Sequence, residues 1–489
     1  MGNLVELDDV QGLILKGYGN MPFGSYFMLN FKDELKAKNW LSIIADKITV
    51  AATSSKSIEC AVNLAFTNEG VLKIGLPVEV LRTFSREFEE GMVTDHRKRM
   101  LGDLGDSDPS RWEWGNGKNS DVIHACLLIF GKTEADFEQT VNEFKSGLAS
   151  EDIHIVTELP TNSLPDYKEH FGFRDGIANP VIKDAERREE DEHPGNLINP
   201  GEFIFGYANE YEKLPLSPKV PAAMDSENLL SGVIDEPGNR DLGKNGSMLV
   251  FRQLEQNVVK FWEFIKKATE EQEVDNTSNT VEGLASKMIG RWLNGAPLTK
   301  CPVQPDEKFS TFDNFGYATK DFDGFKCPIG SHIRRTNPRD NFLRNSTGSK
   351  EKDIEKSQMF MKRFRILRRG RSYGEPVTQS MKPEDVLSSG ATDGGRGLHF
   401  LCFNTSISRQ FELIQQTWIN NPKFAGLYED PDPIIGYPEI MGENATTTFT
   451  EQASPVRKKV EGIPRFVNVK GGAYFFMPGL KAIKFLASL

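Results

Sequence analysis

At 489 residues, with 38% hydrophobic residues and 33 Phe, the chain can build two cores or one large core with insertions, and its composition is that of a globular protein in water. A net charge of -11, with no dense Lys/Arg run interleaved with aromatics, argues against nucleic acid and anionic membranes and leaves small molecules as partners. Five cysteines without a C-x-x-C pair exclude a zinc ribbon, an attached c-type haem and a disulfide framework.

The opening stretch, MGNLVELDDVQGLILKGYG, lacks the basic and apolar blocks of a signal peptide, and Glu6 stands where a myristoylation signal needs Ser or Thr. No apolar run is long enough for a membrane span. The chain is expected to be either a mature extracellular form without its leader or a cytoplasmic protein. Asn-X-Ser/Thr triplets at Asn245, Asn276, Asn345 and Asn444 tilt that expectation slightly towards secretion.

Four segments along the chain repeat one pattern: an apolar run ending at or near Phe, a polar break, and a helix-period stretch. YFMLNF is followed by Ala37, Leu41, Ile44 and Ile48, and ACLLIF by Phe137, Val141, Phe144 and Leu148. SMLVFR is followed by Leu254, Val258, Phe261 and Ile265, and LHFLCF by Ile407, Phe411, Ile414 and Trp418. Each set steps by four, three and four, which lays one apolar stripe along one helix face. Further strand-like runs (SIECAVNLAF, DIHIVTEL, AYFFM) complete the order strand, helix, strand, strand, helix, strand in each half. That order predicts an α+β protein, a duplicated ferredoxin-like fold with two antiparallel β-sheets and flanking helices. The halves fall at 1–165 and 166–489, the second carrying an insert over about 275–395 that is rich in Gly, Pro, Arg and Lys.

Three motifs could carry chemistry. HFGFRDGIANP (170–180) sets Arg174 and Asp175 between Gly172 and Gly176, glycines that would let backbone pass close to a flat ligand. In the insert, CPIGSHIRRTNPRD places His332 beside Arg334, Arg335 and Arg339, and RFRILRRGRSYG brings Arg368, Arg369 and Tyr373. An imidazole beside cations suits a haem, whose iron takes a neutral ring nitrogen and whose propionates need donors. A surface loop pairing its arginines with carboxylates reads the same way. Cleaving a peroxide O–O bond needs a base to move a proton and a cation to stabilise the departing oxygen, roles open to Asp175 and Arg368.

Taken in order, GFRDG, HIRRTNPR, LRRGRSYG, RGLHFLCFNTSI and DPIIG resemble the motifs of the dye-decolorizing peroxidases, in particular the longer fungal type, and LDDVQGLIL is similar to that family's amino-terminal segment. The resemblance covers nearly the whole chain. It implies two ferredoxin-like halves with one haem b held mainly by the second. It also implies Asp175 as the distal acid-base residue, Arg368 as the distal arginine and His332 as the iron ligand. Asp432, in DPIIG, would accept a hydrogen bond from the other ring nitrogen of His332. Arg334 and Arg339 match propionate or rim partners, and Leu398 and Phe400 the apolar lining, with His399 expected to point away. Arg369 competes with Arg368, and the spacing to Gly370 and Tyr373 favours 368.

The implied activity is reduction of hydrogen peroxide coupled to oxidation of aromatic dyes and phenols. A carboxylate base, with an ordinary pKa of about 4, suits acidic medium. Donors too large for the pocket would pass electrons through surface aromatics, for which Tyr373 and Trp418 match in position; Trp418 also reads as plain core. ERREEDEHPG (186–195), with five carboxylates and His193, reads first as a solvated charged loop and only second as a candidate for oxidisable Mn2+. A haem-binding protein without turnover is the alternative reading. A cofactor-free hydrolase lacks any G-x-S-x-G or H-E-x-x-H support.

Overall fold

A computed structural model describes residues 4–117, 122–185, 193–271, 280–342, 349–437 and 445–489. The first half begins with β1 (Phe23–Phe31) and α1 (Glu34–Ala45), then β2 (Cys60–Phe66), β3 (Ala125–Gly131), α2 (Glu134–Ser150) and β4 (Ile153–Pro160). Side chains of Asp33 and Thr133 cap the two helices, accepting from Lys36 N and Asp136 N. The strands lie in the order β4-β1-β3-β2, all antiparallel, which is the ferredoxin-like arrangement.

The second half repeats it with β5 (Ser247–Gln256), α3 (Val258–Glu271), β6 (Leu367–Arg368), β7 (Arg371–Tyr373), β8 (Gly397–Asn404) and β9 (Val467–Met477). Here β9, β5 and β8 are neighbours, and β6 and β7 both pair with β8. Residues 367–373, read in the sequence as part of the insert, therefore occupy the second-strand position. Between β5 and β8 run α4 (Val281–Ile289), α5 (His332–Thr336) and α6 (Lys350–Lys362), and α7 (Leu480–Ser488) ends the chain.

The two sheets join. Phe66 in β2 pairs with Phe476 in β9, giving one nine-stranded sheet, and at the opposite edges Asn162, just past β4, bridges Ser372 in β7 through a 2.7 Å hydrogen bond. Closure removes the free edges that two separate sheets would leave. Alternation then sorts side chains: Tyr26, Phe130, Phe251, Leu401 and Phe475 fill the interior, while Phe27, Leu64 and Phe66 face outward against α1 and α7. The apolar stripes of the sequence are buried, including Ile407, Phe411, Ile414 and Trp418, except for the half-buried Phe137 and Leu254; the fourth winds as π-helical turns over Ser408–Glu412 and Ile414–Ile419.

All five cysteines are unpaired thiols. Asn245 is fully buried, accepting from Tyr207 Oη at 2.6 Å and donating to Asp9 Oδ2 at 2.6 Å, so it is closed to a glycan; Asn276, Asn345 and Asn444 lie outside the described residues. No described helix is long and apolar enough to cross a membrane.

Candidate active site

The HFGFRDG stretch is a tight turn whose ends pair. Glu169 N donates to Phe173 O at 2.9 Å and Asp175 N to Tyr167 O at 2.9 Å. Phe171 and Phe173 anchor it in the core, the first 4.6 Å from the Phe261 ring and the second stacked on Trp262 of α3. Gly172 and Gly176 have φ of 95° and 79°, the left-handed region that favours glycine, and a Cβ on Gly172 would sit 2.8 Å from Met381 O. Turn geometry by itself calls for glycine at both positions. Glu169 clamps the turn from within: Oε2 accepts from Phe171 N at 3.0 Å and from Gln256 Nε2 at 2.5 Å, and Oε1 from Phe173 N at 3.0 Å. Burial pushes its carboxyl up to about 7.

Arg368 reaches this turn because of strand period. It lies opposite Cys402 of β8, on the same outer face as Leu398 and Phe400, both partly accessible. Arg369, Arg371 and Tyr373 take the inner face. Arg369 donates to Leu13 O and Ile14 O at 3.1 Å each, which removes it from the competition for Asp175. Arg368 Nη1 donates to Asp175 Oδ1 at 2.7 Å, and Gly176 N donates to the same oxygen at 2.6 Å. Oδ2 of Asp175 has no hydrogen-bond partner among the described residues. Burial works against the Asp175 charge, but the Arg368 guanidinium and the Gly176 N–H outweigh it and hold the carboxyl below the usual range. The two side chains keep 31% and 40% of their surface accessible inside dense protein, as in a recess rather than on an open surface.

Facing this pair is His332 at the start of α5. Its Nδ1 lies 2.9 Å from Asp432 Oδ2, while Oδ1 of Asp432 accepts from Ile434 N at 2.9 Å and Ile435 N at 3.0 Å. The fixed carboxylate makes Nδ1 the protonated nitrogen and leaves Nε2 without a protein partner. Burial disfavours the charged imidazole, yet the Asp432 carboxylate overrides it and raises the ring's pKa; Arg368 and Asp175 act on it as well, across the recess.

The neighbouring arginines divide differently from expectation. Arg334 is 3% exposed, its terminal nitrogens donating to Asp321 Oδ2, Asp321 O, Cys327 O and Phe322 O with its plane over Tyr317. That engagement takes Arg334 out of a propionate or rim role. Arg335, fully buried, ties α5 to the backbone of Trp418, Asn421 and Asp430. Arg339 pairs with Asp313, which also binds Arg291 at 2.7 Å and lies 3.6 Å from His193. Asp313 is close enough to Arg368 to act on its charge. Residues 186–192 of the acidic run lie outside the described residues, and no cluster of three metal-ligating side chains occurs among the described ones.

Comparison with known proteins follows from this geometry. The model of the DyP dimeric alpha+beta barrel domain matches residues 9–165. Peroxidase 2 of Mycetinis scorodonius is 29% identical over 98% of this chain and 87% of its own, and a multifunctional dye peroxidase of an Amycolatopsis species is 27% identical over 98% and 96%. The crystal structure of a fungal DyP-type peroxidase from Auricularia auricula-judae superposes with a TM-score of 0.76 at 26% identity, covering 100% of both chains. Over nearly its whole length the chain is similar to dye-decolorizing peroxidases.

The donor set fits a haem: one imidazole whose Nε2 has no partner among the described residues, an acid fixing its tautomer, and an apolar outer strand face at Leu398 and Phe400 beside a charged pair. His399, on the opposite face, is 1% exposed inside the barrel, its ring stacked 4.5 Å from that of Tyr373. Tyr373 lies on a strand, partly exposed. Trp418 is 2% exposed, packed against Phe342 and Phe364, which makes it interior and not a surface residue.

The sequence reading missed Glu169 and Asn179, although both adjoin or belong to the quoted motif. Asn179 brackets Arg368, accepting from its N–H at 3.2 Å and donating to its carbonyl at 3.2 Å. A short-range signal existed for Glu169, an acid two and four residues before the N–H groups it caps. Replacing Glu169 by Gln removes one of its two acceptor oxygens, a loss of about 1–2 kcal/mol in the turn. Amide hydrogen exchange at Phe171 and Phe173 is expected to quicken by roughly tenfold; unchanged protection would show that Glu169 is not the clamp.

Proposed function

We propose that this protein holds haem b through His332 and reduces hydrogen peroxide while oxidising dyes, phenols and related aromatic donors. The observation that carries the reading is the ion-paired Asp175 and Arg368 facing an imidazole whose other nitrogen is fixed by Asp432. Dyes are suggested by the names of full-length relatives, and phenols by a similar dye-decolorizing peroxidase structure in complex with 2,6-dimethoxyphenol (TM-score 0.76).

Bound haem supplies the iron at which the O–O bond breaks and the oxidising equivalents that donors later consume. The chain's own residues do the rest. Asp175 takes a proton at Oδ2 from the inner peroxide oxygen and returns it to the outer one, which leaves as water; Oδ1 stays tied to Arg368 and Gly176 N–H, so the carboxylate is aimed throughout. Arg368 stabilises the negative charge that develops on the departing oxygen. Asp432 holds the proton at Nδ1 of His332 and so enriches Nε2 as a ligand. Leu398 and Phe400 keep the recess narrow and apolar, which confines it to small oxidants. Arg339, next to Asp313, serves the rim. Tyr373, partly exposed and stacked on His399, passes electrons inward from donors that cannot enter.

Purified protein loaded with haem is expected to show a Soret band that changes on adding one equivalent of peroxide, and to oxidise a phenol only when peroxide is present; a stable band without turnover would favour the haem-binding alternative. Asp175→Asn should keep the band and slow the peroxide reaction by about 10²–10⁴-fold in stopped flow. The pH dependence tests the pair. The base must be ionised, and its lowered pKa keeps it so below the usual carboxylate range, with activity lost as pH falls through that lowered value. Removing the guanidinium in Arg368→Leu raises the pKa of Asp175, so the acid limb should move to higher pH; a limb that stays in place would refute the coupling. Tyr373→Phe should cut oxidation of a bulky dye several-fold while sparing a small phenol, and equal losses on both would point the electron path elsewhere.

A further inference from the structure

The function above leaves Arg174 without a task. In this acidic protein its guanidinium makes no hydrogen bond or ion pair among the described residues, and its one side-chain interaction is with the Tyr167 ring, 5.9 Å away. Lys168 likewise has no carboxylate within 4 Å among the described residues. These two cations stand directly opposite each other. Because Glu169 N bonds Phe173 O and Asp175 N bonds Tyr167 O, Lys168 and Arg174 form a non-hydrogen-bonded antiparallel pair, the closest arrangement that two cross-strand side chains can have. Like charges so placed repel, and an anion seated between them relieves the repulsion. The Glu282 carboxyl, held up by burial and by Glu384, is near enough to Lys168 for their charges to interact, but makes no ion pair with it.

Beside them Tyr167 is 68% exposed, a flat ring offered to solvent. Its backbone and that of Asp166 both have φ of 56°, an uncommon and costly conformation for two consecutive residues that are not glycine. The turn thus holds together an aromatic ring and two cations without an ion pair among the described residues, one hydrogen bond from Asp175.

We propose that Tyr167, Lys168 and Arg174 form a docking site for an aromatic anion, a ring bearing a sulfonate or carboxylate. Tyr167 stacks on the ligand ring, and the two cations bind its acidic group by charge-assisted hydrogen bonds. That such a ligand serves as an electron donor rests on the peroxidase reading; the binding itself does not.

The test is calorimetric titration of naphthalene-2-sulfonate into the purified full chain, before any peroxide is added. Arg174→Gln should weaken binding roughly tenfold and Arg174→Gln with Lys168→Gln should abolish it. Tyr167→Ser should remove the preference for naphthalene-2-sulfonate over methanesulfonate, and affinity should fall with added salt. Unchanged affinity in the double variant, equal binding of a naphthylmethylammonium cation, or a Soret shift in Arg174→Gln, which would assign the guanidinium to the haem, overturns the proposal. No arm needs turnover. Sulfonate binding without peroxide chemistry would sink the peroxidase reading alone, and peroxide chemistry without sulfonate binding would sink this one alone.

Discussion

Strand period decides which charge enters the recess. Leu367 to Tyr373 runs along β8, and alternation sends Arg368 outward while Arg369, Arg371 and Tyr373 turn into the barrel. A register slip of one residue would exchange the two sets, placing Arg369 at Asp175 and leaving Arg368 against the carbonyls of Leu13 and Ile14. The register is held from both sides. Arg369 and Arg371 bond the backbone of the amino-terminal segment, Asn179 brackets Arg368, and Asn162 closes the barrel on Ser372. Interactions far from any chemistry therefore fix a guanidinium to within hydrogen-bond tolerance of its acid.

The recess holds two acid–cation pairs, and burial opposes each charge in them. In Asp175 and Asp432 the partner's field outweighs the cost of burial, so both carboxyls titrate below their ordinary range. For His332 the same balance gives a raised value. Such pairs are costly to break and not strongly stabilising to make. Their value lies in orientation: Asp175 keeps one oxygen bound and one unbonded, and His332 keeps one nitrogen bound and one unbonded. Each pair thus leaves one atom, Oδ2 of Asp175 and Nε2 of His332, without a hydrogen-bond partner among the described residues.

Much of this was legible in the chain. The four strand–helix repeats, with apolar steps of four, three and four, gave the duplicated fold because burial on one face leaves a periodic trace. The motifs also gave the residues that meet: Asp175, Arg368, His332 and Asp432 come together from positions far apart in sequence. Three features were not legible. Arg334 looks like an anion ligand by composition, but four buried acceptors from 321–327 consume it, and nothing local announces them. Trp418 sits on an apolar stripe, and periodicity says buried or partner-facing without saying which. Barrel closure rests on one register pair at one edge and one bridge at the other, too few residues to leave a pattern.

Duplication itself explains why one half can carry a recess. The interior of the barrel is filled from both sheets, so neither half depends on its outer helices for the whole of its core. In the first half α1 and α7 cover the outer face at Phe27, Leu64 and Phe66. In the second half α3 packs on Phe171, Phe173 and Phe466 and supports the turn that carries Asp175. The long connection from α3 to β8 then brings α5, with His332, near enough to Arg368 and Asp175 for their charges to act on its ring. An opening that would cost a single-sheet domain its core is tolerated here because the shared interior supplies the apolar burial that the recess gives up.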